Sequence, residues 1–144
     1  MNVSSPLSKE IEELSRNLVD SAFKFHQTLG PGLLESVYEA CLCVELGKRG
    51  IGYKSQAPIP LVYEGVSIDA GLRLDLLVAN SIIREIKSVE RLLPVHQIQL
   101  LTYLKLADLH LGLLINFNES LLRSGIQRVI YSNESWRHGA LAAN

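Results

Sequence analysis

Residues 72–89, LRLDLLVANSIIREIKSV, constrain the fold more than any other stretch. Leu72, Leu74, Leu76 and Val78 fall on one parity and Arg73, Asp75 and Leu77 on the other, so the first half reads as a strand. Asn80 and Ser81 supply a turn, and Ile82, Ile83 and Ile86 carry a second strand. Side chains alternate along a strand, which puts Ile83, Glu85 and Lys87 on one face. An apolar hairpin thus carries an aspartate on its first strand and a Glu-x-Lys pair on its second. Such charges are costly if buried and unpaired. Two explanations are open: an ion-paired lysine on a solvated face, or two hard oxygen ligands for Mg²⁺ or Mn²⁺.

The 144 residues suffice for one domain with a core at about residues 8–131, between short N- and C-terminal tails. Hydrophobic content of 47% with 20% charged residues indicates a soluble globular chain. Cys41 and Cys43 sit two apart on an expected helix and point in different directions, so disulfides are not expected. The first residues lack an apolar signal core, and no apolar run reaches membrane-spanning length, so the reading is cytoplasmic with no membrane partner. A net charge of −1 excludes a strongly basic, indiscriminate nucleic-acid binder, but not an enzyme with bases gathered around one cleft.

Ser8 can cap a first helix whose stripe is Ile11, Leu14, Leu18, Ala22 and Phe25, ending before Gly30-Pro31-Gly32. Leu34, Val37, Tyr38, Cys41, Leu42 and Leu46 form the stripe of a second helix, closed by Lys48-Arg49-Gly50. Glu35 falls in its first turn, where the helix dipole alone would favour a carboxylate. Residues 56–63 read as a strand interrupted by Pro58 and Pro60, which argue for a sheet edge or for a strand whose amides face away from the ladder. Glu64-Gly65 turns the chain back through residues 66–68. Pro94 opens a helix to about Ala107, roughly 21 Å long. Its apolar side is expected at Val95, Ile98, Leu101, Thr102 and Leu106, broadened by Leu100 and Leu104. His96, Gln99 and Tyr103 form a polar row facing a cleft. Residues 110–117, HLGLLINF, read as a central strand, and residues 125–131 as a last one. Trp136 is the sole anchor of the tail. Tight turns make the early strands antiparallel, whereas the helical crossover favours a parallel pair, giving a mixed sheet flanked by helices.

Together, Gly32-Leu33-Leu34-Glu35-Ser36-Val37-Tyr38, Arg73-Leu74-Asp75, Glu85-Ile86-Lys87, Gln99 to Lys105 and Gly112 to Phe117 resemble the small GxxExxY proteins. That family looks like a branch of the PD-(D/E)XK nuclease superfamily, and the resemblance covers roughly residues 15–131 in the family's order. It implies an α/β fold with a restriction-endonuclease-like core. It also implies catalytic positions at Asp75, Glu85 and Lys87, an acidic position on the core helix at Glu35, and a Gln-x3-Tyr motif at Gln99 and Tyr103. Leu74 stands where the superfamily's proline would be.

The chemistry of these residues suits phosphodiester hydrolysis. Asp75 and Glu85, with the Ile86 carbonyl as third ligand, can hold Mg²⁺ or Mn²⁺, and Glu35 can hold a water or a second ion. Lys87 can orient the nucleophile or stabilise developing charge, while Gln99 and Tyr103 position substrate. Arg73, His96 and Lys105 are candidate substrate contacts, with Arg84 and Arg91 as further phosphate ligands. His26 is expected to pack or to anchor a loop. The expected function is metal-dependent cleavage of nucleic acid, DNA first. The alternatives are a non-catalytic nucleic-acid-binding or assembly module, and a structure-selective nuclease working as a homodimer.

Overall fold

The computed structural model describes residues 7–132, so expectations for the extreme tails, Trp136 included, lie outside the described residues. Helix α1 spans Lys9–Leu29 and starts as its local signals require: Ser8 Oγ accepts from the Ile11 amide at 3.2 Å. It ends at Gly30, whose φ of +68° suits glycine. Helix α2 follows at Glu35–Lys48. Both bury part of their stripes: Leu18, Ala22 and Phe25 from α1 meet Tyr38, Leu42 and Leu46 from α2 in one core, whereas Leu34 and Val37 of the expected α2 stripe are exposed.

Five strands follow: β1 (Tyr53–Pro58), β2 (Leu61–Tyr63), β3 (Val66–Ile68), β4 (Arg73–Val78) and β5 (Ile82–Lys87). Helix α3 (Pro94–Ala107), β6 (Leu111–Asn116), a short 3₁₀ turn at Leu122–Gly125 and β7 (Ile126–Ile130) complete the chain. The main sheet has the order β1-β4-β5-β6-β7, and β2 pairs only with β3 in a separate hairpin. Strands β5 and β6, joined through α3, are parallel, whereas the other neighbours are antiparallel. This is an α/β fold with a mixed central sheet flanked by helices. The helices α1 and α2 cover one face over the core that includes Leu76, Val78, Ile82 and Ile86. On the other face Leu100 and Leu104 of α3 pack with Leu74, Ile83 and Leu114.

Three expectations need correction. Residues 56–63 are not one strand. Pro58 ends β1, which does lie at the sheet edge, and buried Ile59 bonds its amide to the Leu72 carbonyl before β2 begins.

Second, α3 is turned differently from its expected stripe. Val95 and Ile98 are exposed, while Leu100 and Leu104 are fully buried. The reason lies on β6. At Gly112 a Cβ would stand 2.8 Å from the Leu100 side chain, so the missing side chain admits Leu100. Burying such a leucine is worth about 1.5–3 kcal/mol.

Third, Leu74 does not share the core of Leu76 and Val78 but joins Leu77 on the α3 side. The strand therefore turns over at Asp75. On β1 the pairing with β4 runs through Ser55↔Leu76, skips one position and resumes at Ala57↔Leu74. The residue skipped on β1, Gln56, has φ +52°, so both strands are irregular opposite Asp75.

Candidate active site

The site begins where the β4–β5 ladder stops. Ser81 donates to the Val78 carbonyl at 2.9 Å across a turn in which Ala79 and Asn80 both have positive φ, as a type I′ turn requires. Regular pairing then runs from Val78↔Ile82 to Leu76↔Arg84. The next pair in that register would be Asp75 and Glu85. There side chains replace the ladder: the Asp75 amide donates to Glu85 Oε1, and the Ile86 amide donates to Asp75 Oδ2, each at 3.4 Å. Each carboxylate thus reaches the other strand's backbone.

Glu85 is buried and Asp75 half-buried. Burial pushes the Glu85 carboxyl up to about 8, and the charged, hydrogen-bonded Asp75 adds to the shift, while Lys87 opposes it. The raised carboxyl favours a proton on Glu85 in the metal-free protein. A hard cation would replace that proton, so the donor set fits Mg²⁺ or Mn²⁺. Among the described residues no group of three or more His, Cys, Asp or Glu gathers. Further ligands would have to be main-chain oxygen, water or phosphate.

Lys87 ends β5 half-buried, on the face of Ile83 and Glu85 against which α3 packs. On α3, Gln99 Nε2 donates to Tyr103 Oη at 3.0 Å, so the expected row is at least a bonded pair. His96 caps its own helix: Nδ1 accepts from the Leu93 amide at 3.0 Å. Arg73 is exposed and donates to the Leu72 carbonyl at 3.4 Å, and Lys105 is exposed in the last turn of α3. Arg84 is fully buried on the opposite face, which removes it from the candidate phosphate contacts.

Glu35 is exposed and stands at the end of β5 rather than in a cluster with the other two acids. Its Oε2 accepts from the Ser88 amide at 3.1 Å, and Ser88 Oγ donates to the Leu33 carbonyl at 2.7 Å. Tyr38 explains how Glu35 arrives there. Fully buried, Tyr38 stacks on Phe117 with centroids 4.6 Å apart. Its hydroxyl donates to the Gly30 carbonyl at 2.7 Å and accepts from the Leu33 amide at 3.1 Å. Gly32, at φ +100°, lets the chain turn between these two bonds. The Gly-x-x-Glu-x-x-Tyr spacing is therefore a brace that joins the start of α2 to the residue after Lys87. Tyr38→Phe is expected to cost about 1–3 kcal/mol, because two polar backbone groups lose a partner. Denaturant titration of the two proteins measures this.

Sequence reasoning missed two further supports of that loop. Ser88 carried no motif signal. Asn116 lay inside an apolar strand run with no role assigned, yet it is fully buried and binds both backbone groups of Val89, at 3.1 and 3.0 Å. A lone buried amide in such a run was the available signal, since buried amides find partners. His26 behaves as expected of a loop anchor, with Nε2 3.1 Å from the Phe117 carbonyl.

A family model described as the PD-(D/E)XK nuclease superfamily matches residues 12–129. No curated protein and no solved structure gives a match. The matched span takes in nearly all of α1, all of α2, the whole Asp75–Glu85–Lys87 hairpin and the β5–α3–β6 crossover, an arrangement consistent with a restriction-endonuclease-like core. The chain belongs to the PD-(D/E)XK nuclease superfamily.

Proposed function

We propose that this protein is a metal-dependent nuclease that hydrolyses phosphodiester bonds, with DNA as its favoured substrate and Asp75, Glu85 and Lys87 at its centre. One observation carries the reading. Asp75 and Glu85 meet where the ladder is broken on both sides of β4, an arrangement that costs backbone pairing and gathers charge in a half-buried place. Bound by Asp75, Glu85 and the Ile86 carbonyl, Mg²⁺ or Mn²⁺ would supply a more acidic water and relieve charge on a phosphate oxygen. Lys87 provides positive charge beside that position. Gln99 and Tyr103 orient the substrate as a bonded unit, and Glu35 holds the end of β5 and a water or second ion near it. Arg73 and Lys105 take phosphates from the rim, with His96 beside them.

Within the superfamily we place the chain in the GxxExxY branch, on the brace formed by Gly32, Glu35 and Tyr38. We also place it in the cytoplasm; no helix among the described residues is long and apolar enough to cross a membrane. A homodimer would be served by Val62, Tyr63 and Val66, exposed on the β2–β3 hairpin, and sedimentation tests it.

The test is a cleavage panel with Mg²⁺ or Mn²⁺ on single-stranded, duplex and branched DNA and on RNA. The wild type should cut at least one substrate, and Asp75→Ala should not. A folded, metal-loaded wild type inert on all of them would turn the reading to a binding or assembly module. Cleavage equal in both proteins would belong to a contaminant.

A further inference from the structure

Arg84 is among the largest fully buried side chains of the described residues, and none of its three guanidinium nitrogens has a hydrogen-bond partner among them. It points to the face of β5 opposite Glu85. Strand register sets it in one row with Ser55 of β1, Leu76 of β4 and Leu113 of β6. Above the β1 end of this row lies α2, whose Glu39 Oε1 accepts from Ser55 Oγ at 3.2 Å. The acids that act on the guanidinium are first Asp75, then Glu39 and, more weakly, Glu85. Asp75 can reach both faces because β4 turns over at that residue. Burial lowers the Arg84 pKa to about 10, which leaves it charged at neutral pH.

A buried charge that is attracted to acids but bonded to none is a poor contributor to stability. What it does provide is positive charge behind a pair of crowded carboxylates. We propose that Arg84 is the internal counter-ion of the carboxylate site, a positioning residue that offsets Asp75 and Glu85 from behind the sheet and so limits how tightly the site takes a divalent cation. The proposal rests on the metal-site reading above. A fixed unit charge within a few residues of a dication opposes its binding, and at a protein's effective dielectric that opposition reaches about tenfold or more in affinity. The metal-free protein would then take the ion weakly, and substrate phosphate, as an additional anionic ligand, would secure it.

The experiment is a calorimetric Mn²⁺ titration of the metal-free protein at about pH 9, where proton competition at Glu85 has largely ended. The proteins are wild type, Arg84→Met, Arg84→Gln and Asp75→Asn. The neutral Arg84 variants should bind Mn²⁺ about tenfold more tightly or better. Unchanged or weaker binding in the neutral variants, with Asp75→Asn losing affinity, overturns the counter-ion role and leaves the metal site standing. Asp75→Asn binding like wild type removes the metal-site reading itself, and this proposal with it. If neither neutral variant folds, judged by near-UV circular dichroism, Arg84 is a structural residue and the proposal fails.

Discussion

Lys87→Ala should fold as the wild type does and cleave nucleic acid roughly 10²-fold more slowly or worse, the loss expected for an electrostatic or proton-handling group at the reacting centre. The fold has little to lose. What ties Lys87 into the sheet is backbone: it pairs with Asn116, and its carbonyl accepts from the Phe117 amide at 2.9 Å. Alanine keeps both. The side chain contributes a half-buried ammonium on the face of Glu85, and its charge acts against the upward shift of that carboxyl. A role confined to that ion pairing would cost the variant about 0–1 kcal/mol and leave cleavage unchanged. Thermal melting and single-turnover rates on one substrate separate the two outcomes. Metal and nucleic-acid affinities close to wild type would place the loss in the chemical step. Lys87→Arg is not a simple rescue, since a planar fork replaces a compact point charge.

How much of this was legible beforehand follows the range of the forces involved. Start and stop of α1 are written locally in Ser8 and Gly30, and the hairpin around Asn80 is written in alternation and turn residues. The facing of α3 is not. Val95, Ile98, Leu100, Leu101, Leu104 and Leu106 almost encircle the helix, so periodicity has little to choose between. Gly112, on another strand, makes the choice by admitting Leu100. Leu74 changes sides for a similar reason, since the irregular Gln56 is on the neighbouring strand. Arg84 misled through its chemistry: its parity matched inward-facing Ile82 and Ile86, but an arginine usually stays near water. The candidate carboxylates were easier to find, because charge inside an apolar hairpin is conspicuous in one dimension. The purpose of the Gly32–Glu35–Tyr38 spacing became visible only where Glu35 meets Ser88, far along the chain.

The metal-free protein should lose stability as pH rises from about 5 to 8, and the same interval should see its affinity for Mn²⁺ climb. Both follow from Glu85. Its carboxyl is raised to about 8 in the folded chain, from an ordinary value near 4.5, chiefly by burial and then by Asp75. The folded state therefore binds a proton that the unfolded state has already released. That proton's contribution is fully present below about pH 4.5 and is lost as pH rises through 8. A few kcal/mol are at stake, and Glu85→Gln, which cannot ionise, should lack this part of the slope in denaturant titrations across the range. Divalent metal competes for the same site. Below the raised pKa each ion bound must displace about one proton, so affinity should rise by about tenfold per pH unit and level off above 8. Calorimetry in buffers of different ionisation enthalpy counts the proton released. A flat affinity profile with no proton release would separate Glu85 from the metal. A stability slope unchanged in Glu85→Gln would mean that the buried carboxyl is ionised throughout, with Lys87 outweighing burial and Asp75.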